Sequence, residues 1–140
     1  MTYLAFDPGH TTGYAIFNNE GDIVDWGDLK GLRELSAFLG TQDRPNGVIY
    51  EEYRVRGDRG GISANVGSRL ETVQAIGVIK AKCFEWEIEP VEQPAQIKKI
   101  AEMWSKHKPT GSHDKSHKVD AFNHGVYYLV KNKIRSITGV

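Results

Sequence analysis

Residues 3 to 17 read YLAFDPGHTTGYAIF: two apolar runs, each too short for a helix, joined by a turn built on Pro8 and Gly9. Such a pattern restricts the chain to a sheet whose first two strands, Tyr3 to Asp7 and Gly13 to Phe17, are antiparallel neighbours. A second turn at Asn18-Asn19-Glu20-Gly21 leads into a third run, Ile23 to Leu29, and completes a three-stranded meander. The first strand ends in a carboxylate, Asp7. A charge closing an apolar run is costly unless it reaches solvent, a partner or a cation.

Beyond the meander, Leu32, Leu35, Phe38 and Leu39 recur at helical spacing from Gly31 to Leu39. A polar break from Thr41 to Gly47 precedes "VIYEE", a short buried strand that also ends in acids. The next stretch, "RVRGDRGGISANVGS", is rich in glycine and arginine and reads as a mobile loop; its Arg-Gly-Asp tripeptide, in a chain without secretory features, is read as chance. A long helix follows from Ser68 to Phe84. Its apolar residues, including Leu70, Val73, Ile76, Ile79 and Phe84, occupy more than one face, so it is either sandwiched or shared with a second copy of the chain. Gly77 at its middle would permit close backbone approach. "EWEIEPVEQ" alternates like a strand, with Trp86, Ile88 and Val91 inward; Pro94 opens a helix through Trp104, and a last helix runs from about His117 to Asn132. The order βββαβαβαα predicts an α/β fold: a mixed five-stranded sheet with helices on both faces. At 140 residues it should form one domain, 1–140.

Charge and cysteine usage narrow the function classes. Basic and acidic residues balance at 18 each, yet residues 1 to 52 carry a net of −6 and the remainder +6, as expected of an acidic centre bordered by a basic surface. Cys83 is the only cysteine, which excludes a disulfide framework and a cysteine-based zinc site. No signal peptide and no 18-residue apolar span is evident, so a soluble protein of a reducing cytoplasm, away from membranes, is expected.

The last helix supplies a third group of candidate ligands. His113, His117, Asp120 and His124 are spaced four, three and four apart and fall on one helical stripe. His117 with Asp120, about 4.5 Å of rise apart, can share an ion; Asp120 with His124 is the geometric competitor, and a plain polar helix face remains open. Together with Asp7 and Glu51, such a pair makes an oxygen-rich site with one imidazole. That donor set selects magnesium or manganese over zinc, and two ions about 4 Å apart suit phosphodiester hydrolysis.

At this point three blocks, "LAFDPGHTTGYAIF", "VIYEEYRV" and "HKVDAFNHGVYYL", resemble the RuvC-type Holliday junction resolvases of the RNase H-like superfamily, particularly their short phage forms. The resemblance implies an RNase H-like fold, a homodimer, here through the helix 68–84, and metal-dependent cleavage of four-way DNA junctions by paired nicks. It also assigns Asp7 to the first-strand aspartate, Glu51 to the glutamate ending the fourth strand, and His117 and Asp120 to the pair opening the last helix. The commoner form of that pair is Asp-x-x-Asp, so His117 makes the site less anionic. Glu51 and Glu52 alternate across the sheet, and only one can point at Asp7; Glu51 directly follows the apolar run.

Arg54, Arg56 and Arg59 in the glycine-rich loop, with Lys98, Lys99, Lys115 and Lys118 in or before the last helix, are the expected phosphate contacts; residues 98 to 118 carry a net of +4. Tyr53 could stack on an exposed base or simply pack. Within nucleases, cleavage of flaps, other branched DNA or RNA is the alternative. A non-catalytic DNA-binding module is another. The Asp-x-Gly-x-Thr-x-Gly turn at residues 7–13 also resembles the phosphate turn of actin-like ATPases, but their second domain and second phosphate turn have no counterpart in 140 residues.

Overall fold

A computed structural model describes residues 1–53, 66–104 and 116–136, with the side chains of 66–69 left aside. The elements run in the order β1 (Tyr3–Asp7), β2 (Thr11–Phe17), β3 (Ile23–Lys30), α1 (Gly31–Gly40), β4 (Gly47–Glu51), α2 (Val66–Trp86), β5 (Val91–Gln93), α3 (Ile97–Trp104) and α4 (His117–Lys131). The five strands form one sheet in the order β3-β2-β1-β4-β5. β1 and β2, and β2 and β3, are antiparallel, whereas β1 with β4 and β4 with β5 are parallel. The mixed α/β sheet read from the sequence is therefore present, with β1 at its centre.

Strand alternation sorts the side chains into two cores. Leu4, Phe6, Ile16, Val48 and Tyr50 face α1 and α2, where Leu35, Leu39, Ala75, Ile79 and Cys83 complete a buried layer. Ala5, Ala15, Phe17 and Ile49 face the other side and meet Ala121, Phe122, Val126 and Leu129 of α4 and Ala101 of α3. Because Asp7 follows Ala5 by two positions and Glu51 follows Ile49 by two, the period of a strand places both acids on the α4 side. Phe6, Phe17 and Phe122 are fully buried, and each contributes roughly 1.5–3 kcal/mol of apolar transfer.

Two glycines let α4 lie close to the sheet. A Cβ on Gly13 would come within 2.1 Å of the His117 carbonyl group, and a Cβ on Gly125 within 2.1 Å of the Phe17 ring. Only a residue without a side chain permits either approach. Phe17 then stacks on Phe122 with ring centroids 5.8 Å apart. The start of α4 is capped from β3: the Lys118 backbone N–H donates to Asp28 Oδ1 at 3.0 Å, while Ser116 at the N-cap makes no side-chain capping bond.

Several boundaries differ from the sequence reading. "EWEIEPVEQ" forms a strand only at Val91–Gln93, and Gln93, not Val91, is the buried member. Trp86 instead ends α2, two residues beyond the expected limit, and the start of α2 lies at Val66. The reason is a tertiary stop. Glu87 takes the left-handed conformation (φ 58°), its N–H donates to the Phe84 carbonyl, and Ile88 N–H reaches back to Cys83 O, which is a Schellman closure made without glycine. Ile88 lands on the core, as a strand reading also required, by a different path. α4 closes in the same way at Lys133 (φ 60°), with Ile134 N–H on Leu129 O, so it ends one residue before Asn132. α3 begins at Ile97, after a turn containing Pro94, and among the described residues nothing outside the helix's own nearby backbone comes within 4 Å of a Cβ placed on Gly77.

Candidate active site

Asp7, Glu51, His117 and Asp120 line one cleft of about 820 Å³ at the carboxyl ends of β1 and β4. Three separate elements, β1, β4 and α4, contribute these four residues. Asp7 is only 6% exposed, and its Oδ2 accepts a hydrogen bond from His117 Nδ1 at 2.8 Å. With Nδ1 given to Asp7, Nε2 is the ring nitrogen that His117, itself a lining residue, has left for a ligand. The closeness depends on Gly13, which is paired with Asp7 in the β1–β2 register and gives way to the His117 backbone. Thr12, itself buried, ties the intervening turn through its hydroxyl to both the N–H and the carbonyl of Gly9.

On the other side of the cleft, Glu51 Oε1 accepts from Lys98 Nζ at 2.8 Å and from His124 Nε2 at 3.0 Å. Lys98, from α3, also reaches Asp120 Oδ2 at 3.3 Å. Its ammonium therefore bridges two of the three carboxylates. His124 is completely buried, and its other ring nitrogen meets Gln93 Oε1 at 2.9 Å.

The electrostatics follow from this arrangement. Burial pushes the Asp7 carboxyl above its ordinary range; the His117 hydrogen bond opposes this, while the charges of Glu51 and Asp120 add to it. The bond to Asp7 raises His117 in turn, against its partial burial. Burial would also raise Glu51, but the hydrogen bonds from His124 and Lys98 overturn that and hold it at about 2. Lys98 loses some basicity to burial and regains more from Glu51, Asp120 and Asp7, so it stays charged. One site thus holds carboxylates with opposite tendencies, a recurrent property of functional centres.

These groups have the chemistry of a hard-cation site: oxygen donors from Asp7, Glu51 and Asp120 with one imidazole from His117. That positive charge is favoured among them is visible in Lys98, which stands between Glu51 and Asp120. As the side chains stand, no three His, Cys, Asp or Glu among the described residues are gathered tightly enough to hold an ion. Lys98 fills the space between them, so a metal would take its place. In donor type, the set fits magnesium or manganese.

The sequence-predicted residues are distributed as follows. Glu52 also lines the cleft, but its backbone N–H continues the ladder to Gln93 O at 2.8 Å, and it is Glu51 that meets Lys98 and His124. His124 is buried behind Glu51, away from the cleft lining, so the Asp120–His124 pairing is not the one presented there. Tyr53, half-buried, lines the cleft as well. Lys98, grouped by sequence with the phosphate contacts, is turned to carboxylates instead. Lys99 is exposed, and Lys118 lies over the Trp26 ring with its ammonium 4.9 Å from the centroid. Arg54, Arg56, Arg59, His113 and Lys115 lie outside the described residues. Sequence reasoning missed Lys98 as a carboxylate partner and Gln93 altogether. A polar residue closing the apolar-alternating stretch was the available signal; that Gln93 is the register partner of Glu51 is seen only in the fold.

No protein-family model matches the chain, and no curated protein matches it in sequence. Among solved structures, Thermus thermophilus RuvC in complex with a Holliday junction substrate aligns with a TM-score of 0.65 at 16% identity, covering 95% of this chain and 96% of that one. A second Thermus thermophilus RuvC structure aligns with a TM-score of 0.64 at 17% identity, covering 96% and 98%. With the central parallel pair β1–β4, the antiparallel meander and the helices on both faces all accounted for, the chain has the RuvC-type, RNase H-like fold.

Proposed function

We propose that this protein is a structure-selective DNA endonuclease that resolves four-way junctions by paired nicks, with residues 1–140 acting as one nuclease domain. The observation that carries this reading is the convergence of Asp7, Glu51, His117 and Asp120 on one cleft at the strand ends of a RuvC-type sheet. The similar Thermus protein was solved with a Holliday junction, which favours branched DNA over plain duplex as the ligand.

Asp7, Glu51, Asp120 and His117 Nε2 would hold two magnesium or manganese ions. When bound, those ions supply an activated water and stabilise the leaving oxygen of the phosphodiester. The chain's own groups prepare the site. His117 anchors Asp7, His124 and Lys98 keep Glu51 ionised, and Lys98 neutralises the acids until DNA and metal arrive. Lys98, relieved of its carboxylates, would then pair with a phosphate, as Lys99 and Lys118 also would; Arg54, Arg56, Arg59 and Lys115, outside the described residues, are proposed as further phosphate contacts on their charge alone. The sole cysteine, Cys83, is buried and its thiol is pushed up to about 11 by burial and Glu89. No described helix is long and apolar enough to cross a membrane.

A homodimer through α2 belongs to the same proposal. α2 turns Ala75, Ile79 and Cys83 to the sheet, yet Leu70, Val73 and Phe84 are exposed by 57%, 49% and 68%, an apolar face that a second copy would cover.

The test is cleavage of a synthetic four-way junction, a flap and a plain duplex with magnesium or manganese, comparing wild type with Asp7→Asn. Symmetric paired nicks in the junction, lost in the variant, support the proposal. Equal cutting of flaps broadens it to general debranching, and no metal-dependent cutting of any substrate removes it.

A further inference from the structure

Outside the four residues facing the cleft, the most unusual polar group in the molecule is His124. It has no exposed surface, it sits in the middle of α4, and both ring nitrogens are engaged. A buried imidazole is harder to accommodate than an apolar side chain of the same size unless its hydrogen bonds are fully made. Here they are: one joins the ring to Glu51, which lines the cleft, and the other to Gln93 behind it. Gln93, 5% exposed, stands beside Glu51 in the β4–β5 register, so strand β5 and helix α4 together close a chain Gln93–His124–Glu51 behind the acid. An ionised carboxylate only accepts, so the Nε2 proton belongs to His124. Either end of the Gln93 amide can complete the bond at Nδ1.

From this geometry we infer that His124 is a positioning residue for Glu51, and Gln93 a positioning residue for His124. The imidazole pins Oε1 from the buried side, which directs Oε2 toward the cleft and fixes the rotamer in which Glu51 meets a divalent cation. The inference rests on the nuclease reading, since it concerns how one of its proposed ligands is presented. It differs from the roles given to the cleft residues in that His124 touches neither cleft nor ligand. Outer partners of ligating groups commonly alter metal affinity or activity by about 10- to 100-fold.

The deciding experiment is a manganese titration of the DNA-free protein followed by electron paramagnetic resonance, on wild type, His124→Leu, His124→Gln and Gln93→Leu, with melting curves for each. Leucine fills the volume without a donor, whereas glutamine can return one. Expected are a roughly 10-fold or greater loss of manganese affinity in His124→Leu at an undiminished folded fraction, recovery of most of it in His124→Gln, and a roughly threefold loss in Gln93→Leu. Four-way junction binding without divalent metal should stay at the wild-type level in all three, and kcat should fall more than KM rises. A folded His124→Leu that binds manganese as wild type does would overturn the positioning role and leave the nuclease reading intact. If His124→Leu does not fold, Gln93→Leu decides on the same terms. A wild-type protein that binds no manganese would remove both readings together.

Discussion

Replacing Lys98 by methionine keeps an unbranched apolar side chain of similar length and deletes the charge that bridges Glu51 and Asp120. Glu51 is held at about 2 against an ordinary 4.5, a gap equivalent to roughly 3 kcal/mol. His124 and Lys98 share that effect, and the Lys98–Glu51 pair is a quarter or less exposed, at 24% and 19%. Allowing for solvent screening, Lys98→Met should destabilise the protein by about 1–2 kcal/mol at pH 7. The sign follows from the direction of the shift. A carboxyl lowered in the folded state stabilises above its unfolded value and loses that contribution as pH falls, so the difference between the two proteins should be full above pH 4.5 and shrink as pH descends toward 2. Urea unfolding from pH 7 to pH 3, read by fluorescence of the tryptophans, measures this. Manganese should also stabilise Lys98→Met more than wild type, because the acids then lack their internal cation. Equal stability at pH 7 would refute the electrostatic account. So would a difference of constant size down to pH 3, which would mark a packing effect instead.

Gly13→Ala should be a severely damaging single methyl, because the atoms it meets are backbone. Its Cβ would lie 2.1 Å from the His117 backbone, so α4 must retreat and release Asp7, with a loss of about 3 kcal/mol in denaturant melts and of any metal-dependent cleavage; a wild-type midpoint would contradict the close approach. Asn123 is fully buried, and neither of its amide atoms meets a hydrogen-bond partner among the described residues. Asn123→Leu should accordingly raise stability by about 1 kcal/mol, and a lowered melting temperature would show that the amide has a use. Phe84→Glu places a charge on the exposed face of α2 and should convert a dimer to a monomer in sedimentation without unfolding it; a wild type that sediments as a monomer, or a variant that remains dimeric, removes the α2 interface.

Element order was legible because the meander's turns and the strand and helix periods agree with the final packing. Ala5 and Leu4 already differ in face by alternation, and from this the common side of Asp7 and Glu51 follows. What stayed illegible depended on tertiary contacts. No propensity marks Glu87 as the left-handed residue ending α2, since that position ordinarily takes glycine. "EWEIEPVEQ" alternates convincingly, yet Trp86 is held by the helix before it. His124 appeared on the right helical stripe but could not be told from a cleft residue, because the stripe is wide enough to point one member at solvent and another at Glu51. Lys98 is a lysine among lysines in the chain, and only the packing of α3 against α4 singles it out.

Asp7 and His117 are separated by 110 positions, which bears on the order in which the protein acquires its parts during synthesis. The face of the sheet formed by Ala5, Ala15, Phe17 and Ile49 is made from the first third of the chain, but its cover, α4, is the last described helix to be translated. Until then that face is bare, an adhesive surface of the sort that recruits chaperones or neighbouring nascent chains. The same delay fixes when the cleft appears. A ribosome-bound fragment that has not reached residue 117 lacks both helix donors and cannot assemble the acidic cleft. Long-range closure of this kind is slow, so the cleft is among the last parts of the described fold to be completed.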